Sequence, residues 1–187
     1  MAIRVISGTA RGRKLKMVPG DSTRPVMDRV KEALFNILGT WVRGSRWLDL
    51  FAGTGSIGIE ALSRGAEYCL FLDLAGAAIR TIHENLSITD LAGSADVMRT
   101  DAFTFLRGEI PEEIFEVIYI APPQYKGMWR SALELLDARS EWLYPDGVAV
   151  VQIDPAEYEP IELENLALFD ERTYGNTMLC FYERPGE

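Results

Sequence analysis

The most informative part of the chain is Trp47-Leu48-Asp49-Leu50-Phe51-Ala52-Gly53-Thr54-Gly55-Ser56-Ile57-Gly58. Its apolar start predicts a β-strand that ends near the carboxylate of Asp49, and its glycines follow the pattern Gly-x-Gly-x-x-Gly before a helix. Glycines at this spacing let the backbone turn sharply and approach a ligand, while the positive end of the helix points toward it. This stretch therefore predicts a ligand-binding strand–turn–helix unit.

Two ligand classes use this arrangement: dinucleotides and S-adenosylmethionine. Both require an acidic residue about 20 positions further on that holds ribose hydroxyls, and Asp73 meets that requirement at the end of the strand-like run 68–73. Asp49 discriminates between the two classes. A carboxylate just before the glycine turn suits a ligand with an ammonium and a sulfonium group, whereas it would repel a pyrophosphate. We therefore expect S-adenosylmethionine.

A second turn supports the same interpretation. The apolar, strand-like run 115–120 is followed by Ala121-Pro122-Pro123-Gln124-Tyr125. A Pro-Pro step that leaves a strand is rigid, because both proline φ angles are preset and the preceding residue is held extended. Such a turn can hold an aromatic ring and a carbonyl group at a fixed place beside a cofactor.

The composition is that of an ordinary soluble globular protein. The 187 residues are 48% hydrophobic and 25% charged, which is enough for one domain with a substantial core. No apolar run reaches the length of a membrane span, and the first residues lack signal-peptide features. Cys69 and Cys180 lie in apolar runs typical of buried thiols, and with a single histidine they cannot supply a zinc site. We expect a cytoplasmic monomer without a metal or membrane partner.

Charge is distributed unevenly along the chain. The net charge is −9, but residues 1–46 carry ten Lys or Arg against three Asp or Glu, so the rest of the chain carries nine against 25. A basic arm of +7 on an acidic body of −16 suits docking on phosphate. The alternative is that these are ordinary solvated charges. The basic residues are Arg4, Arg11, Arg13, Lys14, Lys16, Arg24, Arg29, Lys31, Arg43 and Arg46.

The first 45 residues predict a small extension made of a hairpin and a helix. Strand-like runs over 3–6 and 14–18 flank a glycine-containing basic loop. A helix follows that ends at Gly39, and its polar residues Arg29, Lys31 and Glu32 lie off the apolar stripe. The apolar stripe consists of Val30, Ala33, Leu34, Ile37 and Leu38.

From residue 46 to residue 187, strands and helices alternate, which predicts a mostly parallel sheet covered by helices on both faces. The last two strand-like segments, 166–174 and 177–184, are joined by Gly175-Asn176, a hairpin signal, so the last strand should run antiparallel to its neighbour. The remaining predicted strands are 46–50, 68–73, 95–99, 115–120 and 148–153, and the predicted helices are 55–64, 76–87, 102–107 and 127–138.

These features together resemble the class I S-adenosylmethionine-dependent methyltransferases, whose α/β fold is Rossmann-like with a seven-stranded sheet. The amino-terminal signature is similar to that of the RsmD-type rRNA methyltransferases, and the resemblance spans essentially the whole chain. It implies methylation of the exocyclic N2 of a guanine in bacterial small-subunit (16S) rRNA, with that rRNA or its assembling particle as partner. The signature comprises Gly8-Thr9-Ala10-Arg11-Gly12-Arg13-Lys14-Leu15, Arg24-Pro25, Asp28-Arg29-Val30-Lys31-Glu32 and Phe35-Asn36.

The resemblance also implies roles for individual residues. Asp73 would hold the ribose of the cofactor, and Asp101 with Ala102 would hold its adenine, although Asp101 also fits an ordinary helix cap. Asp28 could pair with a neighbouring arginine and order the basic arm. The methionine end of the cofactor would contact Asp49, Phe51, Ala52, Gly53, Thr54 and Gly55. The rRNA backbone would contact Arg11, Arg13, Lys14, Arg24, Arg29 and Lys31.

The Pro-Pro turn departs from the family pattern, which is Asp or Asn, Pro, Pro, then Phe or Tyr. Here Ala121 stands first, and Gln124 separates the prolines from Tyr125. A guanine amine attacks poorly until an oxygen accepts one of its N–H groups and holds it within about 3–3.5 Å of the methyl carbon. The carbonyl of Ala121 or the side chain of Gln124 would supply that oxygen. Tyr125 would either stack on the base or fill the core.

Three functions remain open at this point. The first is an active guanine-N2 methyltransferase that acts by direct displacement. The second is a catalytically weakened or non-catalytic rRNA-binding or ribosome-assembly factor that keeps the fold. The third is an enzyme with a changed target atom or a DNA substrate. The presence of both Asp49 and Asp73 favours the enzyme, because a chain without the chemistry has little need for them.

Overall fold

The computed structural model describes residues 2–21 and 26–186, so the expected RNA contact of Arg24 lies outside the described residues. The helices are α1 (Asp28–Leu38), α2 (Ser56–Ser63), α3 (Gly76–Thr89), α4 (Ala102–Arg107) and α5 (Met128–Ala138). The strands are β1 (Ile3–Arg4), β2 (Lys14–Leu15), β3 (Arg46–Asp49), β4 (Tyr68–Asp73), β5 (Ala95–Arg99), β6 (Phe115–Ile120), β7 (Leu143–Ile153), β8 (Ala167–Tyr174) and β9 (Thr177–Glu183).

Seven strands form the central sheet in the order β5-β4-β3-β6-β7-β9-β8, and β1 pairs separately with β2. Among the described strands of the large sheet, β9 runs antiparallel to both β7 and β8, and the other neighbouring strands pair in parallel. The predicted sheet with an antiparallel last strand is therefore confirmed. The strand order reverses between β3 and β6, and in open α/β sheets the carboxyl ends of the strands at such a point form the ligand-binding crevice.

Side chains alternate between two hydrophobic clusters, one on each face of the sheet. Trp47 and Phe71 point into the cluster covered by α1, α2 and α3, whereas Leu48 and Leu70 point into the cluster covered by α4 and α5. This alternation follows from the two-residue period of a strand. The predicted helices on both faces are therefore confirmed.

One strand is longer than the sequence suggests. The prediction begins the strand at residue 148, after a Pro-Asp-Gly turn signal, but β7 begins at Leu143. The Pro-Asp-Gly residues form a bulge inside the strand instead of a turn before it. The backbone N–H of Asp146 donates to the carbonyl of Arg184 at 2.7 Å, and the N–H of Arg184 donates to the carbonyl of Gly147 at 2.9 Å. Pairing with the segment after β9 thus continues across the irregularity.

The described part of the amino-terminal extension shares its core with the sheet. Val5 and Leu34 belong to the same buried cluster as Ala61 of α2, and the ring of Phe35 stacks on that of Trp47 at a centroid distance of 5.5 Å. The division of the chain at residue 45 stays a prediction about function, since packing is continuous across it.

The side chain of Lys31 is 0% exposed, contrary to the expectation that it reaches the RNA backbone. Its Nζ donates to the carbonyl of Arg4 at 2.7 Å and to Oγ of Ser56 at 2.9 Å, and lies 3.9 Å from Oε2 of Glu60. Burial lowers the pKa of Lys31, while the charge of Glu60 raises it. The expected contact of Lys31 with RNA is wrong, because a fully buried ammonium group cannot reach a phosphate.

Glu60 fastens the extension to α2. Its carboxylate is fully buried and accepts hydrogen bonds from the backbone N–H of Ile6 at 3.0 Å and of Ser7 at 3.2 Å. It also accepts one from Nε of Arg64 at 3.0 Å. With Lys31 nearby, this buried carboxylate has both charge partners and backbone donors, which is the condition under which a buried charge is tolerated.

We predict that Glu60→Ala lowers the free energy of unfolding by about 3–5 kcal/mol, because it leaves the buried Lys31 without its anionic partner. Urea unfolding followed by circular dichroism measures this change. The control is Glu84→Ala, which removes the exposed ion pair with Lys16 and should cost about 1 kcal/mol or less. Equal losses for the two variants would contradict a special role for the buried carboxylate.

Candidate active site

The candidate site lies where β3, β4 and β6 end. Two backbone hydrogen bonds continue the sheet into the glycine turn: Leu50 donates to the carbonyl of Tyr119 at 3.1 Å and Ala52 to that of Leu72 at 2.8 Å. The turn is therefore held between its two neighbouring strands. The Pro-Pro turn leaves the same edge, directly after Ile120.

The three glycines have separate structural roles. Gly53 and Gly55 adopt φ angles of 58° and 78°, in the left-handed region that favours glycine. Gly58 has an ordinary φ, but a Cβ atom there would lie 2.3 Å from the ring of Phe71 and 2.6 Å from Sγ of Cys69. Its missing side chain lets α2 pack closely against β4, which is the known purpose of the third glycine in this pattern.

Asp73 fixes the turn from the end of β4. Its Oδ2 accepts from the backbone N–H of Gly53 at 2.9 Å, and its Oδ1 accepts from the N–H of Ala75 at 2.9 Å. Each carboxylate oxygen has a further lone pair, so the side chain keeps acceptor capacity toward a ligand. Leu74, which follows it, is 62% exposed and offers apolar surface at the same place.

Asp49 is the unusual group of the site. Its side chain is 1% exposed, and within residues 2–21 and 26–186 its Oδ1 has no hydrogen-bond partner. Burial, with a smaller contribution from the charge of Asp73, raises the pKa of Asp49 to about 7, although the N–H groups of Gly58 and Phe51 act in the opposite direction. A buried, unpartnered carboxylate oxygen is costly, and a cationic ligand group would relieve that cost.

Sequence reasoning missed Asn85, a fully buried residue of α3 that braces the glycine turn. Its Nδ2 donates to the carbonyl of Thr54 at 2.9 Å and to that of Lys16 at 3.0 Å, and its Oδ1 accepts from the N–H of Lys16 at 2.7 Å. The sequence feature that could have identified Asn85 is its position three residues after Ile82, on the core-facing side of the helix. A polar residue there needs buried partners.

The helix-cap interpretation of Asp101 is confirmed. Its Oδ2 accepts from the backbone N–H of Thr104 at 2.9 Å and from its Oγ1 at 3.0 Å. The side chain of Ala102 is buried in the cluster beneath α4. Contact of these two residues with an adenine stays a prediction. Phe51 packs edge-on against Phe103 with ring centroids 6.3 Å apart.

The Pro-Pro turn presents its end to solvent. Ala121 and Pro122 are half-buried, whereas the residues that follow them, Pro123, Gln124 and Tyr125, are exposed. Because Tyr125 is 67% exposed, the interpretation that it fills the core is wrong.

Two acidic residues that the sequence analysis did not select hold Tyr125. Its backbone N–H donates to Oε1 of Glu157 at 2.6 Å, and its hydroxyl donates to Oδ2 of Asp154 at 2.6 Å. The hydrogen bond to Asp154 raises the pKa of the Tyr125 phenol and lowers that of Asp154. The signal that could have found them is their position directly after the strand beside β6.

Three of the expected RNA-binding residues lie away from this edge. Arg11, Arg13 and Lys14 are exposed, but the loop that carries them is attached to the last residue of α2, where the N–H of Thr9 donates to the carbonyl of Ser63 at 2.8 Å. At 1.5 Å per residue, that end of the helix is about 10 Å from the glycine turn. These three residues therefore do not line the crevice.

Arg29 lies at the edge that carries the site. It is exposed on the first turn of α1, and its guanidinium is 5.8 Å from the ring centroid of Tyr174, the last residue of β8. Because β8 runs in the same direction as β7, Tyr174 ends at the edge of the Pro-Pro turn. The neighbouring Asp28 forms an ion pair with Arg4 at 2.9 Å, which confirms the expected pairing.

Within the part of the chain that the structure describes, no helix is both long and apolar enough to cross a bilayer. The same residues contain no group of three or more His, Cys, Asp or Glu side chains arranged to hold a metal ion. Cys69 and Cys180 are free and buried, as predicted, and burial raises the pKa of both thiols.

Known proteins resemble the chain over nearly its full length. The family model described as Conserved hypothetical protein 95 matches residues 3–183. The Putative rRNA methyltransferase YlbH of Bacillus subtilis (strain 168) is 41% identical over 185 residues, which cover 98% of this chain and 100% of that relative. The Ribosomal RNA small subunit methyltransferase D of Haemophilus influenzae is 34% identical over 183 residues, which cover 97% of this chain and 93% of that relative.

A solved structure matches the fold of this chain over its full length. The structure described as a Putative methyltransferase yhhF from Escherichia coli has a TM-score of 0.87 and 32% sequence identity, and the match covers 100% of both chains. The class I methyltransferase fold expected from the glycine turn and the strand order is thereby confirmed. The chain belongs to the Conserved hypothetical protein 95 family, the RsmD family of methyltransferases.

Proposed function

We propose that this protein transfers a methyl group from S-adenosylmethionine to the exocyclic N2 of a guanine in small-subunit rRNA. The observation that carries this proposal is the buried carboxylate of Asp49 beside the glycine turn, whose Oδ1 has no hydrogen-bond partner in the part of the chain that the structure describes. The relatives named as rRNA methyltransferases support an rRNA substrate. The choice of guanine N2 rests on the resemblance of the amino-terminal signature.

The residues of the site fit this cofactor. S-adenosylmethionine supplies an electrophilic methyl group on a positively charged sulfur when it is bound. Asp49 would face the positive charges at the methionine end, and Asp73 would accept hydrogen bonds from the ribose. The exposed apolar surface of Leu74 suits a purine ring. The other candidate cofactor contacts are Phe51, Ala52, Gly53, Thr54, Gly55, Asp101 and Ala102.

The Pro-Pro turn would orient the target amine. The nitrogen lone pair of a guanine amine is delocalised into the ring, so the amine needs an acceptor for one N–H and a fixed position. The backbone carbonyl of Ala121 is the acceptor that directly follows β6, and Gln124 is a second candidate three residues further on. Pro122 and Pro123 keep this part of the backbone rigid.

The exposed ring of Tyr125 would stack on the target base. Stacking of an aromatic side chain on an unpaired base is worth about 1–3 kcal/mol. Tyr125 is exposed at the edge of the sheet, which is the position that an incoming base requires. Arg29 would contact the RNA backbone near the site, and Arg11, Arg13 and Lys14 would contact it further away. We propose a monomeric, cytoplasmic protein with small-subunit rRNA or its particle as partner.

A non-catalytic rRNA-binding factor is the second candidate function. Ala121 favours it, because alanine lacks the side-chain oxygen that the family pattern places at this position. The deciding experiment incubates the protein with methyl-labelled S-adenosylmethionine and small-subunit particles that lack the modification. We expect one guanine N2 to acquire the label in mass mapping. Binding without label would support the second candidate.

We predict that cofactor affinity depends on the ionisation of Asp49. Since burial raises the pKa of Asp49 to about 7, the carboxyl group is largely neutral at pH 6 and ionised at pH 8. Attraction for a cationic ligand grows with the ionised form, so affinity should rise about tenfold between these pH values and level off above. Isothermal titration calorimetry with S-adenosylmethionine measures the change.

Asp49→Asn tests the cause of this pH dependence. The variant should bind the cofactor weakly at every pH in this window, because its side chain is neutral throughout. The control Glu109→Gln removes an exposed carboxylate beyond α4 and should keep the pH dependence of the parent. A parent-like pH profile in Asp49→Asn would rule out this carboxylate as the titrating group.

We predict that Arg29→Glu weakens binding of small-subunit rRNA and flattens its dependence on salt, because one phosphate contact and its released counterion are lost. Cofactor affinity should be unchanged. The matched control is Arg107→Glu, which makes the same charge change on α4, on the opposite face of the sheet. Filter binding across a salt series measures both variants, and identical slopes for them would remove Arg29 from the RNA interface.

A further inference from the structure

We propose that Asp154 and Glu157 are positioning residues that hold Tyr125 in the geometry needed for base stacking and methyl transfer. We call this pair the carboxylate clamp. The effect on methyl transfer rests on the proposed function, whereas the two hydrogen bonds to Tyr125 can be tested without it.

The clamp is built from one short turn after β7. Asp154 begins this turn, and its Oδ1 accepts from the backbone N–H of Ala156 at 2.9 Å. The carbonyl of Asp154 accepts from the N–H of Glu157 at 2.9 Å. The two carboxylates therefore have a fixed spacing that is set inside a four-residue unit. Because β6 and β7 are parallel neighbours, this turn lies beside the turn that carries Tyr125.

The clamp holds Tyr125 at two separate points. Glu157 accepts from its backbone N–H, and Asp154 accepts from its hydroxyl at the far end of the ring, each at 2.6 Å. One hydrogen bond fixes the backbone, and the other fixes the direction of the ring. Because Tyr125 is 67% exposed, little packing restricts the rotation of its ring, and these two hydrogen bonds supply the restriction.

The backbone of Tyr125 adopts an uncommon conformation. Its φ angle is 62°, in the left-handed region that aromatic residues rarely enter. Such a conformation persists where surrounding contacts favour it, and it is concentrated at functional sites. The charge-assisted hydrogen bond that the Tyr125 N–H donates to Glu157 is a contact that favours this conformation.

The segment that carries the clamp is anchored to the helix that follows Tyr125. Arg130 of α5 donates from Nη1 to Oε2 of Glu159 at 2.9 Å and from Nε to Oε1 of Glu134 at 3.1 Å. The Arg130–Glu159 ion pair is thus a further, exposed contact between the helix after the Tyr125 turn and the segment that carries the clamp.

The negative charge of the clamp has a cost for RNA binding, which a fixed orientation of the Tyr125 ring would offset. Two carboxylates at the edge that would receive a phosphate-bearing substrate weaken its binding by repulsion. Because the side chain of Ala121 has no oxygen to accept an N–H of the target amine, orientation depends more on the plane of the Tyr125 ring. A misplacement of about 1 Å can cost a hundredfold in rate, so a fixed ring outweighs some loss of electrostatic attraction.

The catalytic test compares Glu157→Ala with Glu157→Gln on particles that lack the modification. We expect Glu157→Ala to lower kcat by about tenfold to a hundredfold, with an unchanged Kd for S-adenosylmethionine. Glu157→Gln should recover most of the rate, because its amide oxygen accepts the same N–H. The charge-matched control Glu162→Ala, an exposed residue further along the same segment, should keep the parent kcat. Equal losses in Glu157→Ala and Glu162→Ala, or no recovery in Glu157→Gln, would overturn the proposal.

A second measurement does not depend on methylation. In nitrogen-15 NMR spectra of the protein alone, the amide proton of Tyr125 should resonate downfield because it bonds to a carboxylate. It should move upfield in Glu157→Ala and stay in place in Glu162→Ala. An unmoved resonance in Glu157→Ala would overturn the clamp itself. Absence of methylation by the parent would instead overturn the proposed function.

Discussion

The close packing of α2 against β4 is the constraint on which the rest of this structure depends. Gly58 makes it possible, because any side chain there would collide with the ring of Phe71. With α2 in this position, its amino-terminal end and the glycine turn meet the carboxylate of Asp49 at the end of β3. The site therefore follows from a contact between a helix and a strand that a single methyl group would disturb.

The same helix joins the amino-terminal extension to the candidate cofactor site. Glu60 accepts hydrogen bonds from the backbone of the extension, and Lys31 of the extension donates back to Ser56 at the start of α2. Asn85 adds a connection from Thr54 to Lys16. The extension is thus part of the support for the glycine turn as well as the proposed RNA-binding arm. Its basic surface residues and its buried polar residues have different tasks.

The two turns of the site are supported in different ways. The glycine turn is supported by buried groups, among them Asn85, and the buried Oδ1 of Asp49 beside it has no hydrogen-bond partner among the described residues. The Pro-Pro turn is held from outside, by the exposed contacts that Asp154 and Glu157 make with Tyr125. This difference matches the tasks that we propose for them: a small cofactor with positively charged groups would need a pre-formed buried pocket, whereas a base on a large RNA would need an accessible and oriented ring.

The local pattern of the chain determined the strand–turn–helix unit, the order of strands and helices and the final hairpin, because hydrophobic period and glycine spacing act over a few residues. The positions of Asp49 and Asp73 at the ends of their strands were predictable for the same reason. Only the tertiary structure decided that Lys31 is buried, that Asn85 braces the glycine turn and that Glu157 holds Tyr125. These outcomes depend on which elements lie side by side in space, and contacts between residues far apart in the chain leave no periodic signal in it.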